Sequence, residues 1–517
     1  YFFSVDHAGR GDLFQRFAVW KEEKYRKIQG TYPVVFLSFA DVKADCYLSA
    51  REGMIQELTD VYNQFAFIMQ SDRLTQQDRE AFAKVNEDMS DMTAARALKR
   101  LSSLLYKYYG KKAIILLDEY DTPMQEAYVN GYWGQLTEFM RSLLNSTFKS
   151  NLYLERGIMT GITRVSKESV FSDLNHLTVV TTTSRMYETC FGFTEEEVAA
   201  ALEEFSMQDQ LADVKRWYDG FLFGRSDNIY NPWSITNFLK FGELTAYWTN
   251  TSSNRLVGSL IQKGSAELKT VMEDLLHGNI FHTVLDEQVV FGQLDDNESA
   301  VWSLLLASGY LKTADYKLNQ KGKKEYALKI VNFEVLRMFE DLIANWFSSC
   351  CAAYNDFIKA VLANDVKTMN AYMNQITVSI ISHFDSGKKP SDKTEPERFF
   401  HGLVLGLMAE LGDKYTISSN RESGFGRYDV LFEPRSDMDD GIIFEFKVFD
   451  AEEEAGLADT VRKAIEQVID KKYAAVLESK GVSKSKIRIY GFAFQGKNVQ
   501  IDGGYIQELE RKRSSRD

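Results

Sequence analysis

The chain has 517 residues, 44% of them apolar and 26% charged, enough for roughly two to four domains with sizeable cores. Its formal net charge of −13 excludes diffuse coating of nucleic acid, so a nucleic-acid contact must use a local patch or a metal bridge. No apolar run approaches the roughly 20 residues of a membrane helix, no stretch reads as a secretory signal, and Cys46, Cys190, Cys350 and Cys351 lack metal-ligand spacing; a cytoplasmic protein with reduced thiols and no membrane partner is expected.

Asp12 to Trp20 reads as a short helix, Tyr32 to Phe39 as a buried strand, and Ala50 to Gln70 and Thr93 to Tyr109 as amphipathic helices. Lys112 to Asp121, KAIILLDEYD, is an apolar run ending in acids. That predicts a parallel core strand with carboxylates at its carboxyl end, where α/β folds place ligands. The run resembles a Walker B motif, in which Asp118 would hold the Mg²⁺ of a nucleotide and Glu119 would polarise the attacking water. The competing reading is a strand that ends in a polar turn. A further strand, Leu154 to Thr160, leads into Gly161 to Ser166. This cluster resembles the sensor region of AAA-type ATPases, where Thr163 or Arg164 would meet a γ-phosphate; alternatively Arg164 pairs with a surface acid.

IILLDEYDTP at Ile114 to Pro123, TGITRVSKESVFSDLNHL at Thr160 to Leu177, WYDGFLFG at Trp217 to Gly224 and YNPWSI at Tyr230 to Ile235 together resemble the AAA-ATPase-like family of bacterial proteins. Members of that family typically carry a PD-(D/E)XK nuclease domain at the carboxyl end. They also have a phosphate loop ending Gly-Lys-Ser/Thr, and this sequence has none; Gly9-Arg10-Gly11-Asp12 lacks both the lysine and the hydroxyl. By the resemblance, Tyr1-Phe2-Phe3 is the end of the helix that follows such a loop. The expectation is a chain that starts just past its Walker A motif, with ATP a cofactor only of the intact parent.

From Thr236 to Ile380 the periodicity is mostly helical, with a strand-like Tyr326 to Ile330; a helical lid with a winged-helix-like piece is expected, Trp302 and Tyr310 lying in its core. Ser382 to Glu397 is the best linker. Phe399 to Leu411 reads as the helix that opens a nuclease fold, and carries His401 and Glu410, each either near a metal or in a surface or core role.

Arg427 to Phe432 and Gly441 to Val448 are β-rich runs around the acidic loop Ser436 to Asp440, a strand–turn–strand pattern. Alternation puts Ile443, Glu445 and Lys447 on one face and Phe444, Phe446 and Val448 on the other. Asp429 followed by Glu-x-Lys on the next strand resembles the active site of the PD-(D/E)XK nuclease superfamily; the spacing alone is equally compatible with a structural salt bridge. The resemblance implies Asp429 and Glu445 as ligands of Mg²⁺ and Lys447 as the cation that orients water and offsets charge in the transition state. Ala455 to Leu477 reads as one amphipathic helix whose Gln467 and Tyr473 resemble the Gln and Tyr that some superfamily members place near the scissile phosphate. Lys480, Lys484, Lys486 and Arg488 either meet a nucleic-acid backbone or form a solvated turn, and the tail Arg511 to Arg516 is expected to be disordered.

These readings amount to an α/β protein. Residues 1–235 form an NTPase-like parallel-sheet domain lacking Walker A, 236–380 a helical middle region, 381–397 a linker and 398–517 a PD-(D/E)XK nuclease-like domain. The favoured chemistry is Mg²⁺-dependent hydrolysis of phosphodiester bonds, with Asp429, Glu445, Lys447 and Gln467 as catalytic residues and DNA as the expected partner. The alternatives are a nucleotide-regulated module that only binds nucleic acid, and a scaffold with vestigial sites.

Overall fold

The structure is a computed structural model that describes residues 1–162, 174, 177–249, 254–285, 294, 297–346, 351–384, 394–419, 422–423, 426–427, 429–495 and 498–515. The chain divides into two compact units, Tyr1–Thr181 with Leu285–Ser308, and Thr182–Val284 with Gly309–Asp517.

The first unit is built on a parallel sheet of three strands, β1 (Val34–Ser38), β2 (Ala113–Asp118) and β3 (Leu154–Met159), in the order β1-β2-β3. Parallel neighbours need crossovers, and these are helical: Tyr47–Gln64 and Asp91–Tyr109 lie between β1 and β2, and Thr122–Asn130 and Trp133–Phe148 between β2 and β3. The helix Asp91–Tyr109 starts where the Ser90 side chain accepts from the Thr93 N–H, and stops at Gly110, whose φ of +70° is the left-handed cap that glycine adopts freely. Val35, Leu37, Ile115 and Leu117 are buried beneath these helices. The strand expected at Tyr32 to Phe39 is therefore present, and the predicted Ala50 to Gln70 helix ends at Gln64, with a 3₁₀ turn over Ala66–Gln70.

The second unit holds a hairpin, β4 (Asp219–Phe223) and β5 (Ser226–Tyr230); an antiparallel sheet of β6 (Phe281–Val284), β7 (Leu311–Leu318) and β8 (Lys324–Ile330); and a larger sheet. The WYDGFLFG and YNPWSI motifs supply the hairpin and the helix after it. Asn231 accepts from the Trp233 and Ser234 N–H groups, and Pro232 takes the first turn, where its missing N–H costs nothing. Helical periodicity alone concealed β6 and β7, because their polar, half-exposed faces carry little apolar alternation.

The larger sheet contains β9 (Tyr415–Ser419), β12 (Val430–Pro434), β13 (Gly441–Val448), β14 (Ile487–Gln495) and β15 (Asn498–Tyr505), in the order β15-β14-β13-β12-β9. Two-residue strands β10 (Glu422–Ser423) and β11 (Gly426–Arg427) pair separately, so the first strand of the predicted hairpin begins at Val430 rather than Arg427. Only β13 and β14 run parallel. Ile442, Phe444 and Phe446 pack with Tyr490, Phe492 and the helices Cys351–Ala363, Val366–Phe384 and Thr394–Leu411 on one face. On the other, Ile443, Leu431 and Ile489 meet Val468, Tyr473 and Leu477. The edge strand β15 is closed by side chains. Asn370 exchanges hydrogen bonds with the backbone of Ile501 at 2.7 and 2.8 Å, and Asn374 with that of Val499 at 2.7 and 2.9 Å.

Two expectations are corrected here. The predicted Ala455 to Leu477 helix is two helices, Leu457–Asp470 and Ala474–Ser479, because Lys472 turns the chain at φ +54°. Arg511 to Ser514 are helical within Ile506–Ser514 rather than disordered; Ile506 is buried, Glu510 pairs with Lys484 at 2.8 Å and Arg513 with Asp470 at 2.6 Å.

Candidate functional site

The pleat of β13 places Glu445 and Lys447 on the face covered by the helix Leu457–Asp470, with Phe444 and Phe446 in the opposite core. Glu445 is 2% exposed. In the antiparallel ladder Val430 lies opposite Phe444, so Asp429 falls beside Glu445, and an Asp429 carboxylate oxygen accepts from the Phe446 N–H at 2.7 Å.

Across the sheet, the β14 residue opposite Glu445 is Gly491. A Cβ there would come within 2.8 Å of the Val461 carbonyl oxygen and 3.1 Å of Ala464 Cβ, so the helix can lie this close to the strand only over a glycine. That approach brings Gln467 over the pair. Its Nε2 donates to Glu445 Oε1, its Oε1 accepts from Lys447 Nζ at 2.7 Å, and the buried Tyr473 hydroxyl lies 3.5 Å from Nε2. The four predicted residues Asp429, Glu445, Lys447 and Gln467 are thus one contiguous cluster.

Burial pushes the Glu445 carboxyl up to about 8, and the neighbouring Asp429 carboxylate pushes in the same direction; Lys447 and the hydrogen bonds from the Asp429 backbone and Gln467 oppose it. Glu445 Oε2 is buried with no hydrogen-bond partner, an arrangement that is costly unless a cation or proton completes it. Among the described residues no group of three or more His, Cys, Asp or Glu could enclose a metal. Two carboxylates suit Mg²⁺ in particular, which keeps several waters and is commonly bound through one or two carboxylates. The residues present fit such an ion.

Residues 395–503, which include the whole cluster, match the PD-(D/E)XK nuclease superfamily. The chain carries a nuclease-superfamily domain. Residues 1–171 match the AAA-ATPase-like family, described as "Predicted AAA-ATPase". The chain is also 22% identical over 411 residues to an uncharacterized protein from the vnfD 5′ region of Azotobacter chroococcum mcd 1, covering 77% of this chain and 72% of that one. No solved structure matches significantly. The PD-(D/E)XK superfamily is typically metal-dependent, and its domain implies a hydrolase with a nucleic-acid substrate. No described helix is long and apolar enough to cross a membrane.

In the AAA-ATPase-like domain, Asp118 ends β2 opposite Ser38 and accepts from the Thr160 hydroxyl. Glu119 is exposed at φ +48°, where its carboxylate accepts from Thr122 Oγ1 at 2.9 Å. Thr163 and Arg164 lie outside the described residues, as do the side chain of His401 and the central part of the predicted linker. Glu410 is exposed near the end of the helix Thr394–Leu411.

Each lysine of the basic row has a partner within the fold, in exposed pairs of small worth. Lys480 pairs with Glu433, Lys484 with Glu510, and Lys486 Nζ donates to the Asp437 carbonyl at 2.6 Å. Arg488 is only 2% exposed and pairs with Asp440 at 3.0 Å, so burial removes it from any contact with a nucleic-acid backbone.

Two residues escaped the sequence reading, Gly491 opposite Glu445 and Glu273 at the edge of the same sheet. An isolated glycine inside an apolar strand was the available signal for the first, since it marks close backbone approach. Glu273, on the helix Ala266–Leu276, is 146 positions from the residue it binds, Ser419, and no local pattern announces that contact.

Proposed function

We propose that this protein is a Mg²⁺-dependent nuclease that hydrolyses nucleic-acid phosphodiester bonds, with DNA the favoured substrate. The observation that carries the reading is the buried, unpartnered Glu445 Oε2 beside Asp429.

Asp429 and Glu445 would hold the ion. Bound there, Mg²⁺ supplies Lewis-acid polarisation of a phosphate oxygen and a lowered pKa for water. Gln467 fixes the relative placement of the other two side chains, donating to Glu445 while accepting from Lys447. Lys447, so held, orients the attacking water and offsets negative charge that grows on the phosphoryl oxygens. Burial of Glu445 keeps this electrostatic work in a low-dielectric setting, where it is worth more than in water. In the other domain, Asp118 and Glu119 would serve the Mg²⁺ and the attacking water of a nucleotide, and Arg164 its γ-phosphate, only where a Gly-Lys-Ser/Thr phosphate loop, which this sequence lacks, cradles the phosphates.

The test is strand scission by the purified chain on single- and double-stranded DNA and RNA, with Mg²⁺ and with chelator. Lys447→Ala should abolish cleavage with unchanged far-UV circular dichroism. Undiminished cleavage in that variant would remove Lys447 from the mechanism, and metal-independent binding without scission would leave a nucleic-acid-binding module instead.

A further inference from the structure

Glu273 is 3% exposed on the helix Ala266–Leu276, far along the chain from the nuclease-superfamily match. Both of its carboxylate oxygens serve one residue: Oε1 accepts from the Ser419 N–H at 2.5 Å and Oε2 from the Ser419 hydroxyl. Ser419 is itself 4% exposed and is the last residue of β9, the edge strand of the sheet. Its Cα partner on β12 is Val430, the residue that follows Asp429. The carboxylate takes the place that a further strand's carbonyl would occupy, closing the sheet edge at the level of the candidate metal site.

Charge-assisted hydrogen bonds of this kind are about twice as strong as neutral ones, and a buried carboxylate is retained only where its oxygens are satisfied. The helix that supplies it also packs on Thr394–Leu411 and on β6 and β8. A displacement of that helix would therefore be transmitted to the end of β9, and through the Ser419–Val430 pair to Asp429. Glu273 thus acts on the ligand at one remove, through strand placement rather than by touching Asp429.

We propose that Glu273 is a positioning residue for the Asp429–Glu445 carboxylate pair, and that through it the helical region sets the metal affinity of the site. The proposal rests on the metal-dependent reading of that pair. Glu273→Gln keeps the shape but replaces two charge-assisted hydrogen bonds by neutral ones about half as strong, since the Ser419 hydroxyl can accept from the new amide; Ser419→Ala deletes one of the two hydrogen bonds, and Ser419→Thr keeps both.

The experiment is a titration of the full chain with Mn²⁺ as spectroscopic stand-in for Mg²⁺, read by electron paramagnetic resonance, with thermal melts in parallel. Glu273→Gln and Ser419→Ala should weaken Mn²⁺ binding by roughly three- to tenfold, at or below the lower end of the effect of partners that touch a ligand directly, while Ser419→Thr stays within about twofold of the unsubstituted chain. An unchanged dissociation constant in Glu273→Gln and Ser419→Ala, whatever their melting temperatures, overturns the proposal and leaves the carboxylate site standing. If Glu273→Gln does not fold, the Ser419→Ala and Ser419→Thr pair decides. Absence of Mn²⁺ binding in the unsubstituted chain, or binding that survives Asp429→Ala with Glu445→Ala, overturns both readings.

Discussion

Lys447 and Gln467, on a strand and a helix separated by 20 positions, are joined by a hydrogen bond of 2.7 Å from Nζ to the side-chain carbonyl oxygen. The other end of the same amide donates to Glu445, so one planar group sets the spacing of a cation and a carboxylate. Such an amide does what no single charge could do, accepting from one partner and donating to the other.

Gln467→Ala should therefore separate positioning from folding. The substitution removes the partner of Glu445 Oε1 and the constraint on Lys447, and a lost partner around a metal site costs roughly 10–100-fold in affinity or rate. We expect a higher Mg²⁺ concentration for half-maximal cleavage and a lower plateau. A Mg²⁺ titration that overlays that of the unsubstituted chain would count against the bridge.

The raised Glu445 carboxyl predicts a pH dependence with a definite sign. Its value in the metal-free fold, about 8, lies above its ordinary value of 4.5 because of burial and the Asp429 carboxylate. Stability from this group is then fully present below about 4.5 and is lost as pH rises through about 8. The metal-free melting temperature should fall across that window, and Glu445→Gln should flatten the fall. Mg²⁺ must displace the proton, so its affinity should rise from pH 6 to 8 with proton release, measurable by calorimetry in two buffers of different ionisation enthalpy.

Gly491→Ala tests the close approach of helix and strand. The added Cβ meets the Val461 carbonyl oxygen at 2.8 Å and Ala464 Cβ at 3.1 Å, and overpacking of this kind costs about 1–3 kcal/mol. Because the displaced helix carries Gln467, cleavage at saturating Mg²⁺ should fall by more than in a core variant of equal stability placed away from that helix. Equal activities in the two variants would show that helix placement is not limiting.

The asparagine pair on the edge strand makes the fourth prediction. Asn370→Ala with Asn374→Ala removes four hydrogen bonds to Val499 and Ile501, each worth about 1 kcal/mol. It also bares the N–H and C=O groups of β15, a template for intermolecular pairing. Chemical denaturation should show the loss, and size-exclusion chromatography should show concentration-dependent association.

Much of the site was legible because strand periodicity is local. GIIFEFKV puts Glu445 and Lys447 on one face whatever surrounds it, and LLDEYD ends its strand in acids in the same way. The helix break at Lys472 was hidden, since Gln467, Tyr473 and Leu477 keep an amphipathic spacing through it while only the φ of one lysine changes. The basic row after Leu477 reads as open positive charge, yet Glu433 stands against Lys480, Glu510 against Lys484 and Asp440 against the buried Arg488, each from another part of the fold. The helical tail was missed for a related reason: Arg513 is ordered by Asp470, 43 positions away.

Residue identity and alternation by themselves determined that a glutamate and a lysine share one face of a strand, one hairpin after an aspartate, because those properties follow from backbone geometry over a few residues. Tertiary structure alone decided that Glu445 is buried, that Gly491 lies opposite it, that Gln467 reaches the site from a separate helix, and that Glu273 meets Ser419 at the sheet edge. The physical reason is that desolvation and partner choice depend on which surfaces meet, and the parallel pairing of β13 with β14 joins segments that no local pattern connects.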